Sequence, residues 1–124
     1  MNDQVEVKVS RLKGLALDWA VAKALDVEEE TLDPITWAET AYPSGCYNFS
    51  SNWSQGGPLI EQEGITLAYT HDVVRVAQAY HIEDLFDDER EEYCQKGETI
   101  LVAAMRCIVA RRLGLSVMVP AELL

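Results

Sequence analysis

Few side chains in this chain are of the kinds that do covalent or metal chemistry. It holds two histidines, His71 and His81, and three cysteines, Cys46, Cys94 and Cys107. Neither histidine has a helical HxxxH partner, and a metal centre would need carboxylates brought in from afar, so the sequence predicts no metal and no cofactor. The cysteine count is odd and the spacing wide, with no pair two residues apart, which suits free thiols in a reducing compartment. Gln55-Gly56-Gly57-Pro58 has the glycines of a phosphate loop. It lacks the Walker lysine and the spacing of a dinucleotide fingerprint. Those glycines are better read as allowing a close backbone approach or a turn into a helix. Ser44-Gly45-Cys46 is no nucleophile elbow, because no strand leads in and no helix leaves. Tyr42, Tyr47, Phe49 and Trp53 could form a stacking platform for bases. Without basic residues beside them, anchoring their own loop is the better reading. No catalytic residues are assigned.

One charge is out of place. Arg106 sits in the run Ile100–Leu113, and its neighbours at helical spacing are Val102, Ala103, Val109, Ala110 and Leu113. A guanidinium there must snorkel outward or find a partner. Its partner could be structural, or the arginine could be held for an anionic ligand. Asp18 lies among Gly14, Leu15, Val21, Ala22 and Leu25 on a second helical stretch, and pairing of Asp18 with Arg106 across a helix–helix contact is the expectation to test. The alternative places Asp18 at the solvated edge of that face.

The elements that would position these residues follow from pattern. Thr99 to Gly114 reads as a helix apolar nearly all round, with Thr99 as N-cap, Gly114 as C-cap and Arg111 and Arg112 at the negative end of the dipole. A helix of that kind is buried in a domain or a membrane. The run is shorter than the ~20 residues of a bilayer crossing and contains Arg106, so it belongs inside the domain. Val5–Val9 alternates as a short strand, and Ser10 is predicted to cap a helix running to about Asp26. Glu28–Asp33 is an acidic linker. Ile35–Ala41 forms a short strand or a helical turn, and Tyr42–Asn52 a loop. A second helix covers 52–64, with Pro58 either inside it or opening it, and with Trp53, Leu59 and Ile60 facing the core. Ile65–Tyr69 and Val73–Ala79 are strands of an antiparallel hairpin turning at Thr70–Asp72. The charge run within 81–97 reads as a solvated helix or loop. Val117–Val119 is a last strand, closed by Pro120. The layout is a single α+β domain over 1–124: a small, mostly antiparallel sheet packed with two or three helices around a buried C-terminal helix.

Composition narrows function by exclusion. Of the 124 residues 48% are apolar, enough for a core, and the formal net charge is -11. That acidity argues against a phosphate backbone or an anionic membrane surface as partner. No signal-peptide core precedes the first strand, so a cytoplasm is the expected location.

Three stretches, in order, resemble a known phage family. VKVSRLKGLALDWAVAKAL at 7–25 is similar to its opening pattern. Asn52 to Gly64 resembles its Asp-Trp-x-Gln-Gly-Gly-Pro motif, with Asn52 where an aspartate is usual. VAAMRCIVARRLGLSVMVP at 102–120 resembles its closing segment. On these motifs the chain is identified as a member of the NinX-like phage proteins. The acidic stretch Glu83–Glu92 departs from the family pattern. The resemblance implies a phage or prophage origin, expression in a bacterial host, and an α–β–α sandwich as one form of the fold. It supplies no catalytic residues. Asp18, Trp19, Trp53, Gln55, Gly56, Gly57 and Arg106 are the residues that could form a ligand or structural cluster. Three functions compete: a non-enzymatic module that binds an unidentified host or phage protein, an acidic mimic of nucleic acid that blocks a DNA-binding protein, and a small-ligand site or enzyme centred on Arg106 and Trp53–Pro58.

Overall fold

The computed structural model describes residues 3–27, 32, 47–69, 77–85 and 93–124. Its middle is the apolar run near the C-terminus. Helix α3 (Ile100–Leu113) starts at Thr99, whose hydroxyl accepts the Val102 amide at 3.1 Å, and stops at Gly114, which takes a positive φ of 103°. Leu101, Met105, Ile108 and Val109 are buried, with Ala103, Ala104 and Ala110 between them. Each large side chain removed from water is worth about 1.5–3 kcal/mol. The alanines keep the helix thin enough for neighbours to approach on several sides. Helix α1 (Gly14–Ala24), helix α2 (Trp53–Gln62) and strands of both sheets all touch it. Among the described residues no helix is long and apolar enough to cross a membrane.

The strands form two separate antiparallel sheets, giving an α+β fold. In the first, β1 (Gln4–Lys8) pairs with β5 (Ser116–Pro120), placing Val5 opposite Val119 and Val7 opposite Val117. In the second, β2 (Ile65–Tyr69) pairs with β3 (Ala77–His81), and β3 with β4 (Gln95–Gly97). Of the predicted hairpin, the first strand is present as expected, and the second shares Ala77–Ala79 with the prediction but runs on to His81. The hairpin turn, and Val73–Val76 of the second predicted strand, lie outside the described residues, as do Ile35–Ala41 and nearly all of the acidic linker. β4 carries no alternating pattern and its sequence does not announce a strand.

Two local expectations are corrected. Ser10 caps no helix. Val9–Arg11 form a 3-10 turn while the Val9 amide still donates to the Leu115 carbonyl at 2.9 Å, which prolongs the pairing of the first sheet. Leu12 is then buried, and α1 begins only at Gly14, with no side-chain cap. Trp53 does not face the core. It is the first residue of α2 and is 56% exposed, whereas Leu59, two turns along, is buried. Asn52 is the N-cap, accepting the Ser54 amide at 2.9 Å, and Pro58 lies inside the helix.

The C-terminal end of α3 is tied down by charge. Arg111 Nε donates to Asp84 Oδ2 at 2.9 Å, and Arg112 makes a two-pronged pair with Glu63 while Nη1 reaches the Ala24 carbonyl at 3.3 Å. Asp84 is only 1% exposed, so the run Glu83–Glu92, predicted to be solvated, surrenders at least this carboxylate to the interior.

Candidate functional site

Asp18 and Arg106 are both turned inward but do not meet. Arg106 Nε donates to the Leu12 carbonyl and Nη1 to the Lys96 carbonyl, each at 2.8 Å. The arginine thus bolts the turn before α1 and the strand β4 onto α3. The expected Asp18–Arg106 ion pair is therefore corrected: the guanidinium makes two charge-assisted bonds with backbone carbonyls, and the Asp18 carboxyl finds its partner elsewhere. Burial lowers the Arg106 pKa, and the nearby Glu98 charge opposes that shift.

Asp18 is 5% exposed and serves a different loop. Its Oδ1 accepts the Ser50 amide at 2.8 Å, and the Ser50 hydroxyl also bonds to the carboxyl. Burial raises its pKa from 3.8 to about 6, outweighing the two Ser50 hydrogen bonds that lower it. This is the one carboxyl–hydroxyl pair in the cluster with shifted acidity. Both residues are buried, and the Ser50 amide occupies Oδ1, so the pair positions the loop.

Gln55 and Gly56 hold the same loop from α2. Gln55 Oε1 accepts the Asn48 amide at 2.7 Å. A Cβ on Gly56 would stand 2.4 Å from the Phe49 carbonyl oxygen and 2.7 Å from Leu101 Cδ2, so only glycine lets the loop and α3 close on the helix here. At Gly57 the nearest atom is Trp53 Cε3 at 3.5 Å, an ordinary contact. Phe49 is buried and stacks on Tyr47 with ring centroids 5.0 Å apart, so these two of the four predicted anchors hold the loop, whereas Trp53 is exposed and Tyr42 lies outside the described residues. Trp19 is also buried, but elsewhere. Its Nε1 donates to the Leu32 carbonyl at 2.9 Å, and Lys23 Nζ lies 5.3 Å above its ring.

The sequence cluster thus divides. Asp18, Gln55 and Gly56 converge on the loop at 47–52, Gly57 follows on α2 without a contact to that loop, and Trp19 and Arg106 do separate structural work. What the convergence produces is a groove of about 520 Å³. Ser50, Ser51 and Trp53 form one wall, Tyr69 at the end of β2 another, and Glu98 to Val102, at the head of α3, complete the lining. Tyr69 is 45% exposed. Glu98 is the one charged residue in the lining and has no ion-pair partner among the described residues. Ser50, Tyr69 and Glu98 were not singled out by sequence reasoning. The signals for them are weak: a strand-terminal tyrosine and an acid just outside an N-cap.

A smaller cavity of about 250 Å³ lies at the other end of α3, lined by Glu63, Arg111 and Arg112. Both arginines already pair with acids. His81 Nδ1 accepts the Glu83 amide at 3.1 Å, and no cluster of three potential metal ligands occurs among the described residues. The buried Cys107 thiol has its pKa pushed up to about 12, chiefly by burial, which removes it as a nucleophile.

No curated protein matches the chain. The family profile described as Bacteriophage P22, NinX matches residues 8–112, from the last residue of β1 to the final turn of α3, and so spans the loop, the groove and the core helix; the chain belongs to that phage family.

Proposed function

We propose that this phage-encoded chain is an accessory protein that acts in the host cytoplasm by binding another protein, of host or phage origin, and has no catalytic role. The observation that carries this reading is the groove, in which Trp53 and Tyr69 are each about half exposed while Asp18, Gln55 and Gly56 brace the loop beside them. Aromatic residues are enriched in protein interfaces because a rigid ring buries much area at little entropic cost. Direct nucleic-acid binding is disfavoured by a net charge of -11 and by Glu98 in the groove. The rival reading as an acidic mimic needs Glu28–Asp33 and Glu83–Glu92 on one face, and it loses Asp84 to the pair with Arg111. A ligand site built on Arg106 is disfavoured because Nε and Nη1 already donate to the Leu12 and Lys96 carbonyls, which fix the guanidinium in a structural role.

The test is a pull-down from infected host lysate with the wild-type chain and with Trp53→Ser, at low and high salt. Trp53 is exposed, so the variant keeps its fold. The expected result is a partner retained by the wild type, weakened by salt and lost with Trp53→Ser. Identical captures from both chains would overturn the reading.

A further inference from the structure

We infer that the groove receives a cationic side chain, an arginine or lysine carried on the partner protein. This rests on the reading of the chain as a protein-binding module and narrows it to one chemistry. Trp53 and Tyr69 present two electron-rich rings to one cavity, and the face of such a ring attracts an ammonium or guanidinium. Glu98 adds a carboxylate to the same lining and forms no ion pair among the described residues, its nearest cationic influence being Arg106, whose Nε and Nη1 are bonded to the Leu12 and Lys96 carbonyls. A purely apolar occupant would cover the rings but strip water from Glu98 without replacing it, and an anionic occupant would be repelled by it. A cation satisfies both features at once. The formal charge of -11 adds long-range attraction for the same class. The chain already closes one such contact internally, with Lys23 Nζ 5.3 Å above the Trp19 ring. The first-turn amides of Ile100 and Leu101, which have no intrahelical acceptor at the start of α3 and none among the described residues, can donate to carbonyls of the segment that carries the cation.

The test is an NMR titration of the full chain with three blocked peptides, Gly-Ser-X-Ser-Gly, in which X is arginine, its neutral isostere citrulline, or leucine. The expected result is that the arginine peptide shifts the Trp53 indole N–H and the amides of 98–102, that citrulline binds at least about tenfold more weakly, and that Glu98→Gln removes most of that preference without moving the leucine peptide. Trp53→Leu should weaken the arginine peptide with a spectrum otherwise folded. Equal binding of arginine and citrulline, or tightest binding of leucine at the same amides, would overturn the cation inference and leave the protein-binding reading standing. If none of the three perturbs the groove, both fall.

Discussion

Asp18→Asn should change how stability depends on pH. The carboxyl is buried, and its folded pKa of about 6 lies above the ordinary 3.8. The sign follows from proton uptake. The folded state holds its proton to higher pH than the unfolded state, so this group favours folding most at low pH, and that advantage is lost as pH rises from about 3.8 through about 6. Ionising the carboxyl in place costs the fold about 3 kcal/mol by pH 8, at 1.36 kcal/mol per unit of pKa displacement. Of this, about 1.4 kcal/mol falls between pH 5 and pH 8, a window that stays above the pI of about 4.4. Asparagine keeps an oxygen for the Ser50 amide and offers an N–H to the Ser50 hydroxyl, so the loop contact survives while the ionisation does not. Urea denaturation of both chains at intervals from pH 5 to pH 8 reads the difference directly. Asp18→Asn should gain on the wild type by about 1.4 kcal/mol across that range. A difference flat with pH would refute the claim that this carboxyl is desolvated and held by neutral donors.

Three further outcomes are expected. Gly56→Ala should lose about 1–3 kcal/mol, because its Cβ meets the Phe49 carbonyl and Leu101, while Gly57→Ala should be neutral or gain up to about 1 kcal/mol, since among the described residues its Cβ would meet only the Trp53 ring at an ordinary distance; thermal melts of the pair check the contrast. Arg106→Lys should cost about 1.5–3 kcal/mol, since a single ammonium replaces a planar fork that reaches Leu12 and Lys96 from two nitrogens, and hydrogen exchange should loosen first in β4. Cys107 should resist a thiol reagent in native chain at pH 8 and react on unfolding, with the labelled residue identified by mass spectrometry.

What the sequence makes legible and what it hides have separate physical causes. α3 is legible because its caps and its all-round apolarity are local properties, and both caps are where Thr99 and Gly114 place them. The hairpin strands and the closing strand follow from alternation. The start of α1 does not, because Ser10 is claimed by a turn that depends on Leu115, more than a hundred residues away. Arg106 is recognisable as an anomaly from its apolar neighbours, but the choice of two carbonyls over Asp18 depends on where β4 runs, and β4 has no pattern of its own. In the same way Asp18, Gln55 and Gly56 are visible as unusual residues, whereas the groove they brace is built by the approach of Tyr69 and Glu98 from elements distant in sequence. Trp53 shows the limit most plainly. Its helical position is right, but whether a tryptophan points at the core or at solvent depends on the helix's rotation, which no local pattern fixes.

The claim that the head of α3 is the working surface is tested most directly by site-specific photo-crosslinking in infected cells. A benzophenone side chain would replace Trp53 in the groove in one chain and Met118, 42% exposed on β5, in another. Position 53 should yield one discrete adduct, mapped to a segment of the partner bearing arginine or lysine, and position 118 should not. Equal adducts from both positions, or an adduct only from position 118, would contradict it.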